Sequence, residues 1–207
     1  MRDIAILIPA AGESRRMRGS DKLLEPVCGT PLLRRTALAA SATGAHVAVT
    51  LPDYDHPRAV ALSGLPVQLV AVPDRGDGMS ASLRRGVGML PRGMRAVMIL
   101  PADMPDLDTA DLRAVIDAFE NTPHPMLHQA TTEDGRPGHP VLFPSDCFSA
   151  MAQLTGDQGA RTVIRANRHR LRRIALPGDR ALVDLDTPEA WEDWRARSPE
   201  QVRLPAE

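Results

Sequence analysis

Ile4 to Lys22 reads IAILIPAAGESRRMRGSDK. Its apolar run, Ile4 to Ile8, is too short to cross a membrane and predicts a strand buried on both faces. The run opens into Pro9-Ala10-Ala11-Gly12, residues too small to keep a ligand from the backbone. Ser14, three arginines (Arg15, Arg16, Arg18), Gly19 and Lys22 follow. A buried strand leading into a Gly-containing, Arg/Lys-rich loop is how α/β proteins gather N–H groups and cations around a phosphate. The spacing is not GxxxxGK[ST], and no GxGxxG follows this strand, so a P-loop is excluded and a dinucleotide fold disfavoured.

Working outward, Thr30-Pro31 predicts an N-cap and a first helical residue. Leu32, Leu33, Thr36, Ala37 and Ala40 then recur at helical spacing, with Arg34 and Arg35 outward. Strands are predicted at Ala45–Leu51, Pro66–Val72 and Ala96–Pro101, and helices at Met79–Leu90 and Asp108–Phe119. Alternating strand and helix argue for a parallel, doubly wound sheet. Around Met126 to Phe143 the pattern changes to MLHQATT and HPVLF on either side of Glu133-Asp134-Gly135-Arg136, a hairpin signal. Two short helices, Ser145–Leu154 and Gln158–Ala166, a basic strand His169–Leu176 and a helix Pro188–Arg197 complete one domain over residues 1–197. Residues 198–207 read as a loose tail.

The 207 residues suffice for one large core. Aromatics are only 3%, so Leu, Val, Ile, Ala and Met must fill most of it, and no solenoid repeat is present. A formal net charge of −1 gives the molecule no electrostatic case for nucleic acid or an anionic membrane. Cys28 and Cys147 lack CxxC spacing, which excludes a disulfide framework or zinc site and suits a reducing cytoplasm. The N-terminal apolar core is shorter than a signal peptide requires.

Several other places invite chemistry. Asp103 ends the apolar strand AVMIL, where α/β sheets bind ligands, and reads either as a turn cap or as a hard oxygen ligand for magnesium beside a triphosphate. Gly76-Asp77-Gly78-Met79-Ser80-Ala81-Ser82 leads into a helix with small residues and hydroxyls, a plain cap or a ligand edge. Asp184 and Asp186 alternate along DLDTP, which puts both carboxylates on one side of an extended segment. Gly138-His139-Pro140 and Gly156-Asp157-Gln158-Gly159-Ala160-Arg161 read as a strand entry and a helix-initiating turn. The basic run Arg165, Arg168, His169, Arg170, Arg172, Arg173 reads first as a solvated face, with an anion site second. Pro125 breaks the i, i+4 spacing of His124 and His128, so they are not read as metal ligands.

The opening loop resembles the signature of the MobA-like nucleotidyltransferases, L-A-A-G-x-S-x-R-M-G-x-x-K, with Ala10 to Met17 in register, Arg18 one residue extra, and Lys22 completing it. Four later stretches, GMSASL, PADMP, GHP with GDQGAR, and DLDTP, follow in family order. The resemblance implies an α/β Rossmann-like three-layer sandwich with a mostly parallel sheet and a small β-hairpin insertion over the site. It implies Ala10, Ala11, Gly12, Ser14, Arg16, Lys22, Gly78, Ser80 and Ser82 at the nucleotide. Asp103 and Asp186, with Asp184 as the alternative, would hold Mg2+, and Arg16, Lys22 and Asp103 would be catalytic. His139, Asp157 and Arg161 would face the acceptor. GHP and GDxGAR resemble the molybdopterin cytidylyltransferase branch, and Ala10-Ala11-Gly12 leans toward CTP, so the expected substrates are CTP and molybdopterin. A molybdoenzyme client or its chaperone is the further expected partner. A sugar-phosphate or alcohol-phosphate nucleotidyltransferase is the runner-up. A non-catalytic nucleotide-binding maturation partner is the reading from another class.

Overall fold

The computed structural model describes residues 2–156 and 159–197. A seven-stranded sheet runs in the order β5-β4-β1-β6-β8-β7-β9. Its members are β1 (Ile4–Pro9), β4 (His46–Leu51), β5 (Gln68–Ala71), β6 (Ala96–Ile99), β7 (Leu127–Thr131), β8 (Pro137–Pro144) and β9 (Leu171–Ala175). β5, β4, β1 and β6 are parallel neighbours, β8 is antiparallel to both β6 and β7, and β9 is parallel to β7.

β1 is buried along nearly its whole length because its two faces feed two cores. Ile4, Ile6 and Ile8 meet α1 (Leu32–Ser41) and α4 (Thr109–Glu120) through Leu33, Ala37, Leu112, Val115 and Ile116. Ala5 and Leu7 meet the opposite layer of α3 (Met79–Gly88), α5 (Phe148–Ala152) and α6 (Arg161–Ala166) through Leu83, Met151 and Val163. The three layers follow from that alternation.

From β1 the chain passes through α1 to β4 on one side, and after α3 it returns to β6 on the other side of β1. The connections after β1 and β6 therefore diverge, leaving a crevice at the carboxyl ends of two adjacent strands. The expected late hairpin is present, and it is continuous with the sheet: β8 covers the edge of β6, and five of its last six residues, with Gly138, are buried.

Thr30-Pro31 differs from expectation. These two residues form β3 (Thr30–Pro31), paired antiparallel with β2 (Pro26–Val27), and Pro31 itself is the N-cap of α1 with no side-chain cap. Cys28 and Gly29 both adopt positive φ, 49° and 72°, the backbone of a tight hairpin turn. That turn, and the extended preference of a residue before proline, hold Thr30 in a strand. The Leu32 amide then donates to Glu25 O at 3.0 Å, so backbone replaces the missing side-chain cap.

A small third core of Met17, Val27, Leu32, Leu185, Trp191 and Trp194 seats α7 (Pro188–Arg197) against the opening loop. The two indoles meet edge to face at 6.0 Å, and Trp194 Nε1 donates to Asp106 Oδ1 at 2.9 Å. No helix among the described residues is long and apolar enough to cross a membrane. Residues 198–207 lie outside the described residues.

Candidate active site

The loop after β1 is shaped from beneath. Ala10 and Ala11 are buried, the Ala10 amide donates to Thr50 O at 3.0 Å, and Ala11 packs against Val72 and Ala81 of α3. Ser14 takes a left-handed conformation (φ 49°), Arg15–Met17 form a 3-10 turn, and Met17 enters the tryptophan core. The extra residue Arg18 is absorbed in a second left-handed step (φ 53°) before Gly19 (φ 109°), so Lys22 still points into the crevice. Arg18 itself pairs with Glu189 at 2.5 Å on the surface.

Lys22 is the meeting point. Its Nζ donates to Asp103 Oδ2 and to Asp186 Oδ1, each at 2.5 Å, while Arg16 Nη1 donates to Asp186 Oδ2 at 2.6 Å. Asp103 lies just past β6, and its carbonyl accepts the Leu185 amide at 3.0 Å, tying the DLDTP segment to the strand end. Leu185 is buried between Asp184 and Asp186, so both carboxylates stand on the face opposite it, as their alternation predicts. Burial works against charge on Lys22, but Asp103 and Asp186 outweigh it and raise its pKa. Burial likewise opposes the Asp186 charge, and hydrogen bonding and attraction from Lys22, with Arg16 behind, pull its pKa below the ordinary value. Asp184 goes the other way: burial, then repulsion from Asp103 and Asp186, raises it.

His139 lies on β8, the strand paired with β6. Gly138 before it has no room for a side chain, since a Cβ would sit 2.0 Å from Ala181 O. The His139 amide donates to Ala181 O at 2.8 Å, and the His139-Pro140 peptide is cis. The ring is reachable from solvent yet sits in a crowded cleft. Desolvation there and the Arg161 charge lower its pKa, against the pull of Asp103. His139, Asp103 and Arg161 thus share one neighbourhood. Asp157 lies outside the described residues.

Gly78 caps α3 with φ 77° and ψ −161°, a conformation open to glycine alone. Ser80 and Ser82 are buried at the start of α3, on either side of the Ala81 that packs against Ala11 of the loop. The Ser80 hydroxyl has no hydrogen-bond partner among the described residues. Ser14 is also turned inward: its hydroxyl donates to Asp21 Oδ1 at 3.2 Å and accepts from Arg58 Nη2 at 3.0 Å. Arg58, on the short helix α2 (Pro57–Ala61), and Asp21 escaped the sequence reading. Arg58 looks there like any surface arginine of a short helix, and nothing local marks it as buried. Among the basic run, Arg170 is spent on Asp146, Asn167 and the Pro125 carbonyl, in keeping with a structural face. His128 is buried on β7, edge-on to Phe119, and belongs to no group of three or more His, Cys, Asp or Glu among the described residues that could hold a metal ion.

Two loops and a late segment thus bring a lysine and an arginine onto two carboxylates, Asp103 and Asp186, at a sheet's switch point. Residues 6–173 match the family described as MobA-like NTP transferase domain. The chain is 35% identical over 164 residues to the bifunctional protein GlmU of Clavibacter sepedonicus, covering 75% of this chain and 33% of that protein. It therefore spans about a third of the length of this relative. It is 30% identical over 202 residues to "Probable molybdenum cofactor guanylyltransferase" of Natronomonas pharaonis, covering 92% of this chain and 96% of that one. Rv0371c from Mycobacterium tuberculosis H37Rv superposes with a TM-score of 0.78 at 28% identity, over 94% of this chain and 96% of that one. The same mycobacterial protein has been solved in complex with manganese.

Proposed function

The chain belongs to the MobA-like NTP transferase family, and from that premise we propose that it moves CMP from CTP onto a phosphate oxygen of molybdopterin, releasing pyrophosphate. The observation that carries the nucleotidyl-transfer reading is the convergence of Lys22 with Asp103 and Asp186 at the mouth of the loop after β1. The choice of CTP rests on Ala10-Ala11-Gly12, and that of molybdopterin on the GHP and GDxGAR stretches. A guanylyltransferase among the relatives makes GTP the second reading of the nucleotide.

The carboxylates suit a hard divalent cation, since magnesium takes one or two carboxylates when phosphates and water fill its other positions. Asp103 and Asp186 would hold it, and when bound it supplies charge neutralisation across the phosphate oxygens. The chain's own groups do the rest. Arg16, largely exposed, and the open backbone from Gly12 to Ser14 bind the β- and γ-phosphates. Lys22 lies where charge gathers on the α-phosphoryl group and stabilises it as the acceptor oxygen attacks in line and pyrophosphate departs. His139 and Arg161, close enough to each other and to Asp103 to interact electrostatically, orient the acceptor. An acceptor phosphate is already anionic, so no side-chain base is required.

The experiment is pyrophosphate release with CTP, GTP and ATP tested separately, with and without molybdopterin, with and without chelator, beside an Asp103→Ala control. Release with CTP that needs molybdopterin, divalent metal and Asp103 is the expected result. Release with GTP instead would transfer the reading to guanylyl transfer. Release with none of the three, from protein that binds NTP, would refute molybdopterin as acceptor.

A further inference from the structure

We infer that Arg58 is a positioning residue that sets the peptide planes of the phosphate loop from beneath, without touching substrate. The inference rests on the proposed binding of a nucleoside triphosphate at that loop. Arg58 is 2% exposed. Nε donates to Asp21 Oδ2 at 2.7 Å, and Nη2 donates to Asp21 Oδ1 at 2.7 Å and to Ser14 Oγ at 3.0 Å. Nη1 donates to the carbonyls of Ala10 at 2.6 Å and Gly12 at 2.7 Å. A guanidinium has five N–H groups, and these bonds use all of them. None is left for a ligand, and Asp21 neutralises the charge.

The consequence lies on the other side of the loop. A trans peptide is planar, with C=O and N–H pointing opposite ways. Carbonyls of Ala10 and Gly12 drawn inward to one guanidinium therefore turn the Ala11 and Glu13 amides away from it, the Ala11 amide on a residue buried against Val72 and Ala81 and the Glu13 amide on the exposed rim of the loop. Neither amide has an acceptor among the described residues. The exposed Glu13 amide, held in a fixed plane, is thereby a donor aimed at a phosphate oxygen from a strand-end loop. Asp21 belongs to the same device: it also accepts the Leu23 amide at 3.0 Å, so the loop's two ends are fixed on one carboxylate, directly before Lys22. No lysine could replace Arg58, because an ammonium has three donors and no planar fork.

The test uses purified full chain with inorganic pyrophosphate and magnesium, measured by calorimetry, beside circular dichroism and steady-state kinetics. Arg58→Lys keeps the charge opposite Asp21 but loses the fork. It is expected to weaken pyrophosphate binding and raise the KM for NTP by about tenfold or more, with the KM for the acceptor within twofold. Asp21→Asn is the milder second variant and is expected to move the same two constants in the same direction. A folded Arg58→Lys or Asp21→Asn protein that unfolds more easily yet binds pyrophosphate as wild type does would overturn the inference and leave the nucleotidyl-transfer reading standing. Wild-type protein that binds neither pyrophosphate nor any NTP would overturn that reading, and the inference with it.

Discussion

Lys22→Met keeps the length of the side chain and removes its charge from between Asp103 and Asp186. The three side chains are 17%, 17% and 34% exposed, which places the cluster between a surface pair and a buried one. Breaking a fully buried pair costs about 3–5 kcal/mol, and an exposed pair less than 1 kcal/mol, so discounting for solvent leaves about 2 kcal/mol. For a chain of this size that corresponds to a fall in Tm of roughly 4–8 °C. The pH dependence carries the sharper signature. In the wild type the lowered pKa of Asp186 contributes stability that is present above the ordinary carboxylate value and lost as pH falls through the native one. The raised pKa of Lys22 contributes stability present below its ordinary value and lost only as pH climbs through the native one. Without Lys22 the three aspartates repel one another. The deficit relative to wild type is then greatest near neutrality and shrinks as pH is lowered toward 4 and the carboxylates protonate. Urea unfolding at half-unit pH steps measures this directly. Pyrophosphate release is expected to fall by about 10²–10³ as transition-state charge loses its donor. A variant within 0.5 kcal/mol (about the scatter expected of a surface substitution) at every pH would refute the cluster as drawn.

Asp186→Asn loses partners in Lys22 and Arg16 and is expected to cost roughly 1–2 kcal/mol and most of the activity. Asp184→Asn relieves a repelled carboxyl, and its urea midpoint at pH 7 is expected to stay level or rise by up to about 1 kcal/mol. Gly138→Ala drives a methyl onto Ala181 O, and thermal unfolding is expected to show a loss of about 2 kcal/mol or more, with a raised KM for the acceptor as His139 shifts. Burial, with Asp146 beside it, pushes the Cys147 thiol up to about 11. Iodoacetamide at pH 8, followed by peptide mass spectrometry, should modify Cys147 about a hundredfold more slowly in the native than in the unfolded chain.

The elements that were legible in the sequence are those whose partners hardly mattered. Ile4 to Ile8 must be a two-sided strand whatever covers it, and Leu112, Val115, Ile116 and Phe119 face the core because 3.6-residue spacing leaves no other face. Asp108 could be placed at the start of α4, where its carboxylate accepts the amides of Ala110 and Asp111. Thr30-Pro31 misled because its fate depends on two left-handed residues, Cys28 and Gly29, that fold it back onto Pro26–Val27. The hairpin Leu127–Pro144 was visible as a hairpin, but its membership of the main sheet depends on β6 offering it an open edge.

The candidate site divides in the same way. The loop, the strand-end Asp103 and the alternating Asp184 and Asp186 are local patterns, so the chain by itself specified which residues carry charge and which way each segment runs. Their meeting does not follow from any local pattern: Lys22 reaches a carboxylate 81 residues on and another 164 residues on. Ser14, Ser80 and Ser82 read only as small hydroxyls in one dimension; that Ser14 bonds Arg58 and Asp21, and that Ser80 and Ser82 are buried, follows from packing. Arg58 became a buried fork only because α2 lies under the loop. Short-range periodicity fixes the direction of a side chain relative to its own backbone. Which neighbours share its volume, and so which charges are paired or desolvated, is set by how distant segments pack, and that only the tertiary structure decided.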